Sequence, residues 1–302
     1  MRLPDFEAWA IFATVAEHRS FSGAAEALGV SKATISKAIT RLEASLGTAL
    51  FHRTSRRLTL TPSGESLNAN AQRILAEGQA AEESAHDAAS APAGLIRIAA
   101  PMTFGISHVA PAIADFMAAH PAVSIDLRLS DAKVDIVADR FDIALRIADL
   151  PDSSLRARRL APVTARVVAS AVYLERRGRP RHPLELGEHD IFAYANVPTT
   201  TWTFRGPGGE DVAVRPNGRF SSDNGDAMLP LLHAGLGIAR LPDFIVDADI
   251  AAGRLEAILP EWSGPPIALH LVTPPSPLRP ARVELLIEFL AERFRQLCGA
   301  RT

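Results

Sequence analysis

Short polar and cationic side chains gather on one side of a helical segment near residue 35. Ile35, Ile39 and Leu42 repeat at helical spacing and predict the buried side of this helix. The opposite side carries Lys32, Ala33, Ser36, Lys37 and Thr40. Hydroxyl groups reach base edges in the major groove and ammonium groups reach phosphates, so this face is suited to contacts with DNA.

A second group of cations follows in a segment that predicts a small two-stranded wing. Apolar residues alternate through residues 50–61, and Arg53, Arg56 and Arg57 cluster at the turn. Residues 32–57 hold six Lys or Arg against one acid, although the net charge of the chain is -2. The positive field is therefore local, and phosphate contacts from it would depend on salt. The residues expected to contact DNA are Ser31, Lys32, Ala33, Thr34, Ser36, Lys37, Thr40, Arg41, Arg53, Arg56 and Arg57.

Three short helices are predicted to position this surface. Their apolar faces are Phe6, Trp9, Phe12, Ala13 and Ala16, then Phe21, Ala24, Ala25 and Leu28, then Ile35, Ile39, Leu42 and Leu46. Ser20 or Ser22 offers an N-cap for the second helix, which ends at Gly29, and Ser31 and Gly47 bound the third. Two helices joined by a short Gly-containing turn form a helix-turn-helix, whose second helix enters the major groove.

The order of motifs in residues 20–64 resembles the LysR-type transcriptional regulators. The matching residues are Ser20-Phe21-Ser22, Ala24-Ala25, Leu28, Val30-Ser31, Ile35-Ser36-Lys37, Ile39, Leu42-Glu43, Leu46-Gly47, Leu50-Phe51, Arg53, Leu60-Thr61 and Gly64. This resemblance implies a dimeric or tetrameric DNA-binding regulator. It also implies base and phosphate contacts at Ser36 and Lys37, and a minor-groove contact by the wing near Arg53 and Arg56.

The chain departs from the family pattern at the start of the third helix. Lys32 and Ala33 stand where the family often has Gln and Pro, and Lys37 stands where Arg is commoner. Lysine cannot present the planar fork of arginine. The base specificity at this position is therefore expected to differ, while DNA binding is retained.

A long connecting helix is predicted after the wing, with Thr61 as its cap and Pro62 at its first position. Its apolar residues recur in steps of four and three, which is typical of a heptad seam. The seam is Leu67, Ala71, Ile74, Gly78, Ala81, Ala85 and Ala88. Pairing with a second chain is favoured, as the family resemblance also implies, and packing on its own chain is the alternative. Residues 90–94 then form a linker.

Strands and helices alternate after the linker and predict parallel sheets flanked by helices. The predicted elements are a strand over 95–100, a helix over about 105–120 interrupted at Pro111, a strand over 123–129, a short helix over 134–140, strands over 142–147, 166–170 and 267–272, and a closing helix over about 280–297. The sequence only hints at two lobes. The family resemblance implies the bilobed fold of periplasmic binding proteins.

The resulting fold class is α/β with an all-α winged helix-turn-helix at the N-terminus and a bilobed, periplasmic-binding-protein-like sensor domain. The predicted domains are a DNA-binding domain over 1–62, a linker and dimerisation helix over 63–90, and an effector-binding domain over 91–302. Its first lobe is predicted at about 95–163 and 267–302, and its second at about 164–266.

Ligands of open α/β sheets bind beyond the carboxyl ends of the strands. This rule points to residues 101–105, where the first sensor strand meets a helix whose free N–H groups favour an anion such as a carboxylate. Arg146 ends another strand and could clamp a carboxylate with two hydrogen bonds. The residues expected to contact an effector are Pro101, Met102, Thr103, Phe104, Arg146, Asn196, Trp202, Phe204, Asp223, Asn224 and Leu241.

Several of these residues have a purely structural alternative. Arg146 could pair with Asp142 or Asp149 instead of a ligand. Trp202 and Phe204 alternate as in a strand and could belong to the core. Asp223 could cap the helix that runs to His233.

Composition and motifs point away from other classes of protein. The single cysteine, Cys298, cannot form an internal disulfide, and zinc-binding patterns are absent from the sequence. No signal peptide or membrane-spanning apolar run is recognised, so a cytoplasmic protein is expected. No hydrolase, phosphate-loop or dinucleotide motif is found, and residues 206–209 fit a hairpin turn. Neither catalysis, a metal nor a cofactor is expected.

The sequence therefore predicts a regulator that binds double-stranded promoter DNA as a homo-oligomer. A small, anionic metabolite is expected in its cleft, where it would shift the arrangement that RNA polymerase meets at the promoter. One alternative is a regulator that ignores ligands and uses its C-terminal half only for oligomerisation. Another is an enzyme fused to a DNA anchor, which no motif supports.

Overall fold

Two compact units make up the chain. The structure is a computed structural model that describes residues 3–53, 58–87, 92–132, 134–148, 156–195, 201–275 and 279–299. Met1–Ala91 and Ser276–Ala281 form the first unit, and Pro92–Pro275 and Arg282–Thr302 form the second. The first unit contains the predicted helix-turn-helix, wing and connecting helix.

The first three helices begin and end where local chemistry stops the backbone from continuing. Helices α1 (Phe6–His18), α2 (Phe21–Leu28) and α3 (Lys32–Leu46) are capped by side-chain oxygens of Asp5, Ser20 and Ser31, which accept backbone N–H groups. Gly29 and Gly47 end α2 and α3 with φ of 65° and 68°. The predicted boundaries of α2 and α3 are confirmed, and Ser20 rather than Ser22 is the cap of α2.

The buried face of α1 differs from the predicted one. Phe6 is 56% exposed, whereas Ile11, Phe12 and Val15 are buried. The face turns toward Phe12 because its ring packs edge-on against Phe51 of the wing, with ring centroids 5.4 Å apart. Leu28 and Leu46, predicted on the apolar faces of α2 and α3, are also exposed because each is the last residue of its helix.

The wing forms as predicted in its two strands. Strands β1 (Phe51–Arg53) and β2 (Leu58–Leu60) pair antiparallel, with Arg53 opposite Leu58. Its tip, residues 54–57, lies outside the described residues. Glu43 on α3 accepts the N–H groups of Leu50 and Phe51 at 2.8 and 3.4 Å, so the one acid of residues 32–57 holds the wing against α3.

Helix α4 (Pro62–Asp87) starts at the predicted cap, since the Thr61 hydroxyl accepts the N–H of Gly64 at 3.0 Å. Leu67 and Ala71 were predicted to open an intermolecular seam. They pack instead in the core of their own unit, because α1 lies against this end of α4. The side-chain amide of Gln72 donates to the carbonyl of Ala13 at 2.9 Å and fixes the two helices together.

Beyond that contact, the predicted seam of α4 faces away from the core. Ile74 is half-buried, and Gly78 and Ala81 are exposed. The side chains of Ala85 and Ala88 lie outside what the structure describes. The seam therefore has two parts. Leu67 and Ala71 pack within their own unit, and the uncovered continuation of the seam runs from Ile74 through Gly78 and Ala81.

The second unit contains the remaining elements. Its strands are β3 (Gly94–Ala100), β4 (Val123–Leu129), β5 (Ile143–Ala148), β6 (Arg156–Val163), β7 (Ala165–Ala169), β8 (Ala193–Tyr194), β9 (Trp202–Arg205), β10 (Asp211–Val214), β11 (Ser221–Ser222), β12 (Ala239–Pro242), β13 (Glu256–Ile258) and β14 (Ile267–Thr273). Its helices are α5 (Met102–Phe104), α6 (Ala110–Ala119), α7 (Ala171–Arg177), α8 (Leu229–His233), α9 (Asp243–Ala251) and α10 (Ala281–Gly299). A π-helical turn, Gly105–Val109, joins α5 to α6, and 3₁₀ turns span Pro183–Glu188 and Asp226–Met228.

A five-stranded sheet forms the first lobe, in the order β4-β3-β5-β14-β6. Strand β3 is parallel to β4 and β5, and β14 runs antiparallel to β5 and β6. The sheet buries one face against α6 and α10, where Phe116, Leu290 and Phe294 are fully covered. The late strand β14 thus enters the middle of a sheet begun by the early part of the domain.

The three-stranded sheet of the second lobe is antiparallel, so the prediction of parallel sheets is wrong for it, although β8 and β11 pair parallel. Strand β7 pairs antiparallel with both β12 and β13. An antiparallel pair does not need the long crossover connection that a parallel pair requires, so alternating strands and helices do not by themselves decide strand direction. Strands β9 and β10 form the predicted hairpin, with Gly206–Gly209 at its turn.

The chain passes from the first lobe to the second with little connecting backbone. Strand β6 ends at Val163 and β7 begins at Ala165, so only Thr164 separates them. The carbonyl of Thr164 accepts the N–H of Asp243 at 2.8 Å. The return passes from β13 to β14 through residues 259–266.

Two further predictions for this unit are wrong in detail. Residues 136–140 form turns instead of a helix. Asp135 caps a single turn, since its carboxylate accepts the N–H groups of Val137 and Ala138, and Arg140 then ends the turn with left-handed backbone, at φ of 58°. The helix expected from Gly105 starts earlier, at Met102, and runs through Pro111 without a break. Proline is accommodated there because it follows directly on the wider π-helical turn, in the first positions of α6.

We expect Gly64→Ala to destabilise the full chain. An added Cβ would lie 2.2 Å from the carbonyl oxygen of Leu50, which is backbone and cannot turn aside. Overpacking of this kind costs about 1–3 kcal/mol. Urea unfolding followed by circular dichroism measures the loss.

Gly78→Ala is the matched control on the same helix. An added Cβ at this position meets nothing within 4 Å. Alanine in a helix interior is favoured over glycine by about 0.5–1 kcal/mol, so this variant should be as stable as the parent chain or more so. Equal stabilities for the two variants would contradict the close approach at Gly64.

Candidate DNA-binding surface and effector cleft

The outward face of α3 is the predicted DNA surface. Lys32, Lys37 and Thr40 are exposed, while Ile35 and Ile39 on the opposite side are fully buried. Ala33 and Thr34 are exposed as well, and Ser36 is half-buried. The amphipathic pattern therefore presents the short polar and cationic side chains together on one face.

Hydroxyl groups in the first turn of α3 already bond to one another. Ser31 accepts the N–H of Thr34 at 3.1 Å, and their hydroxyl oxygens lie 2.9 Å apart. Both residues therefore fix the start of the helix. The side chains left free to reach outward in this turn are those of Lys32 and Ala33.

Arg41 has partners within its own unit. Its guanidinium bonds to the Asp5 carboxylate and lies 3.1 Å from Glu7. Asp5 is also the cap of α1. Arg41 thereby ties α3 to the start of α1, and the DNA contact predicted for it would compete with this pairing.

Of the three wing arginines, the structure describes only the backbone of Arg53. The backbone of Arg53 lies at the end of β1, but its side chain lies outside what the structure describes. Arg56 and Arg57 also lie outside the described residues. Their predicted roles in DNA binding stay predictions.

Four polar side chains from the two lobes meet at the carboxyl ends of β3 and β4. Asp131, after β4, accepts the backbone N–H of Met102 at 3.0 Å and the side-chain amide of Asn224 at 2.7 Å. The Thr103 hydroxyl donates to Asp226 at 2.8 Å, and the Asn224 amide lies 3.4 Å from that hydroxyl. We name Thr103, Asp131, Asn224 and Asp226 the cleft cluster.

Sequence reasoning found half of the cleft cluster. Thr103 and Asn224 were predicted to contact an effector, and the Met102 N–H was placed at the start of the helix. Asp131 and Asp226 were missed. Asp131 follows the end of β4 by two residues, so the strand-end rule applied to Thr103 would also have found it.

The electrostatic environment of the cluster is acidic. Asp131, Asp223 and Asp226 all act on Tyr194. Burial, and then these three carboxylates, raises the pKa of Tyr194 to about 12. The phenol therefore remains a neutral hydrogen-bonding group at neutral pH. An anion that enters here meets negative charge, and the N–H of Met102 already bonds to Asp131.

Comparisons with known proteins agree with this architecture. Residues 6–65 match the family model of the bacterial regulatory helix-turn-helix proteins of the lysR family, and residues 89–295 match that of the LysR substrate binding domain. The chain belongs to the LysR-type transcriptional regulators. It is thus a DNA-binding regulator with an effector-binding domain.

Individual relatives of this LysR-type regulator cover nearly its whole length. The transcriptional regulator PtxR of Pseudomonas aeruginosa is 38% identical over 284 residues, which is 94% of this chain and 91% of PtxR. The structure of CrgA from Neisseria meningitidis is 32% identical, covers 97% of this chain and 99% of its own, and has a TM-score of 0.60. The virulence activator AphB of Vibrio cholerae is 29% identical with a TM-score of 0.63, over 96% and 99% of the two chains.

Four predicted effector contacts of the LysR-type regulator belong to its core. Trp202 and Phe204 are buried among the apolar residues of the second lobe, as their strand alternation allowed. Leu241 is fully buried in a second cluster of the same lobe. Phe104 packs on Phe294 with centroids 5.4 Å apart. Direct contact between these side chains and a ligand is not supported, because they are covered by protein.

Arg146, another predicted effector contact, has a hydrogen-bond partner within its own lobe. Arg146 is half-buried and donates to the carbonyl of Val134 at 2.6 Å. Asp142, one proposed partner of Arg146, accepts the backbone N–H of Arg97 at 2.7 Å. Asp149, the other, and Asn196 lie outside the described residues.

Pro101 and Asp223 complete the predicted set. Pro101 is half-buried and its carbonyl accepts the N–H of Gly105 at 2.7 Å, while Asp223 is exposed. Asn224 rather than Asp223 caps the turn toward α8, because its side-chain oxygen accepts the N–H of Asp226 at 2.9 Å. This cap fixes which way the amide of Asn224 points.

Neither a metal centre nor a membrane-crossing helix is found among the described residues. Across this part of the chain, no three or more His, Cys, Asp and Glu side chains are grouped so that they could hold a metal ion. Among the same residues, no helix combines the length and the apolar character needed to cross a membrane. The homologues of the chain are transcriptional regulators, which are not enzymes.

We expect Lys37→Ala to weaken binding to operator DNA and to lower its salt dependence. Removing one phosphate neutralisation from each chain reduces the slope of log K against log salt by about 0.9 for every bound chain. Fluorescence anisotropy with a labelled duplex at several salt concentrations measures both quantities. An unchanged affinity at matched salt would count against a role for Lys37 in the groove.

Arg41→Ala provides a contrast on the same helix. Because Arg41 is paired with Asp5 and Glu7, its loss should lower the melting temperature and leave the salt slope unchanged. A slope reduced as in Lys37→Ala would instead show that Arg41 leaves its partners to contact a phosphate.

Proposed function

We propose that the α3 face and the wing of this regulator bind a pseudo-palindromic promoter site. The supporting observation is the exposure of Lys32, Lys37 and Thr40 opposite a fully buried Ile35 and Ile39. In this proposal α3 lies in the major groove and the wing arginines reach the minor groove and phosphates. The proposed set of DNA contacts is otherwise the predicted one, with Arg41 serving first as the link to α1.

The regulator acts, in this proposal, as a dimer or a dimer of dimers. A dimer presents two copies of α3 to two half-sites. The uncovered continuation of the α4 seam, from Ile74 through Gly78 and Ala81, supports pairing through this helix. Its small side chains allow close approach of a second helix. Because α4 is the proposed pairing helix, the boundaries that separate it from the DNA-binding domain at residue 62 and from the effector-binding domain at residue 90 are proposed as well.

The effector in this proposal is a small metabolite that enters the cleft between the lobes, beside Thr103 and Asn224. The convergence of polar groups from both lobes supports this location. For an anionic metabolite, Arg146 supplies the positive charge. The carboxylates of the cleft cluster repel any anionic group that lies beyond the reach of Arg146. Differential affinity for two arrangements of the lobes then changes the spacing or bending of DNA that RNA polymerase meets.

A second candidate function is a regulator that needs no ligand. The hydrogen bonds within the cleft cluster favour it, since they satisfy the polar groups of both lobes without any bound molecule. In that case the effector-binding domain serves oligomerisation alone. The two candidates differ in whether the domain binds a small molecule.

Thermal unfolding across a panel of small metabolites, carboxylates foremost, tests the proposal. A ligand at a hundred times its dissociation constant should stabilise the folded chain by about 2.7 kcal/mol. The corresponding rise in melting temperature is measurable by differential scanning fluorimetry. A panel of carboxylates, amines and neutral metabolites that leaves the melting temperature unchanged would favour the ligand-independent regulator.

Once a carboxylate is found that stabilises the chain, Arg146→Ala tests whether Arg146 binds the carboxylate group of that ligand. The variant should lose that stabilisation while keeping its affinity for the operator. Arg128→Ala is the matched control, because Arg128 lies on the same sheet but pairs with Asp126 at 2.8 Å. A full response in Arg146→Ala would reject the clamp.

A further inference from the structure

The cleft cluster joins two parts of the fold that the chain reaches by separate routes. Thr103 and Asp131 follow strands of the first lobe, and Asn224 and Asp226 precede α8 in the second. Within the cleft cluster, two hydrogen bonds shorter than 3 Å cross between the lobes: Asn224 to Asp131 at 2.7 Å and Thr103 to Asp226 at 2.8 Å. Both have an ionisable carboxyl as acceptor, which makes them stronger than bonds between neutral groups.

Asp131 uses both of its oxygens. Oδ1 accepts the backbone N–H of Met102, within its own lobe, at 3.0 Å. Oδ2 accepts the side-chain amide of Asn224, from the other lobe. One carboxylate therefore connects the start of the α5 segment directly to the second lobe.

The orientation of Asn224 is fixed by its own lobe. Its side-chain oxygen accepts the N–H groups of Asp226 and Ala227 at 2.9 and 3.4 Å. Its NH₂ group must then point toward Asp131 and Thr103, so the donor is in place before the lobes meet. Asp226, which accepts from Thr103, lies on the turn that Asn224 caps.

An apolar contact between the lobes lies next to these bonds. Phe244 of α9 packs edge-on against Phe104, with centroids 5.3 Å apart, and also lies 6.1 Å from His108. Phe104 is the neighbour of Thr103 in sequence. The polar and the apolar contacts thus hold the same segment, residues 102–108, against the second lobe.

We propose that these hydrogen bonds form a clasp that keeps the cleft closed when no effector is bound. The proposal rests on the proposed function, in which an effector enters this cleft. An effector that uses Thr103 or Asn224 must break the clasp, so its apparent affinity equals its intrinsic affinity multiplied by the fraction of chains that are unclasped. The clasp thereby sets the effector concentration at which the regulator responds.

Hydrogen exchange of the ligand-free, full-length chain tests the clasp without any effector. Asp131→Asn is chosen because an amide can keep its oxygen on the Met102 N–H while its NH₂ faces the NH₂ of Asn224. The local bond then survives and the bond between lobes is lost. We expect amides of residues 225–228, in the opposite lobe, to exchange at least about fivefold faster, the factor that one net hydrogen bond provides.

Thr103→Val removes the second bond with little change in side-chain shape. It should accelerate exchange in the same segment, residues 225–228, although the substitution is in the first lobe. Asp126→Asn is the control, because its partner Arg128 lies in its own strand. It should leave exchange in the second lobe unchanged.

The clasp is overturned if Asp131→Asn and Thr103→Val leave exchange at residues 225–228 as in the parent chain, or alter only residues 100–104. Its failure and that of the proposed function are distinguishable. A chain that exchanges as expected but responds to no metabolite has a clasp and no effector. A chain that responds to a metabolite without these exchange changes has an effector and no clasp.

Discussion

Thr61 lies at the point where the DNA-binding elements join the rest of the chain. Its hydroxyl donates to the carbonyl of Ala49 at 2.7 Å and accepts the N–H of Gly64, while its own N–H bonds to Leu50 at 3.0 Å. Glu43 of α3 holds the other side of Leu50. The recognition helix, the wing and α4 therefore share one buried hydrogen-bonded junction, and none of them can change its angle without breaking it.

The effector-binding domain lacks a buried junction of this kind between the described parts of its two lobes. Its lobes meet through polar bonds at the cleft cluster, whose members are half-buried or exposed, and through a contact of Phe244 with Phe104. Such contacts are individually weak compared with a fully apolar core. The first unit thus has its geometry fixed by a buried junction, whereas the lobes of the second unit meet through polar bonds that solvent partly reaches.

Local chemistry explains which features the sequence predicted. Helix ends at Gly29, Ser31 and Gly47 depend on neighbours within four residues, and they were placed correctly, while the cap of α2 was narrowed to Ser20 or Ser22. The helix expected over 134–140 stops after one turn, because Arg140 adopts left-handed backbone with φ of 58°.

The cleft shows where prediction from one sequence ends. Asp131 and Asn224 are 93 residues apart and meet only because two lobes close on each other. Trp202 and Leu241 were predicted to contact an effector as Thr103 was, but burial decides their role, and burial depends on the whole lobe. The family assignment succeeded because the motif in residues 20–64 is contiguous and specific.

The single residue between β6 and β7 has a mechanical consequence. With Thr164 alone as the joint, and its carbonyl held by Asp243, the lobes have almost no slack in translation at this crossing. The return crossing, over residues 259–266, is longer and has more slack. Any change of backbone angle at Thr164 would therefore be met at the short crossing without translation, and the displacement it causes would grow with distance from Thr164.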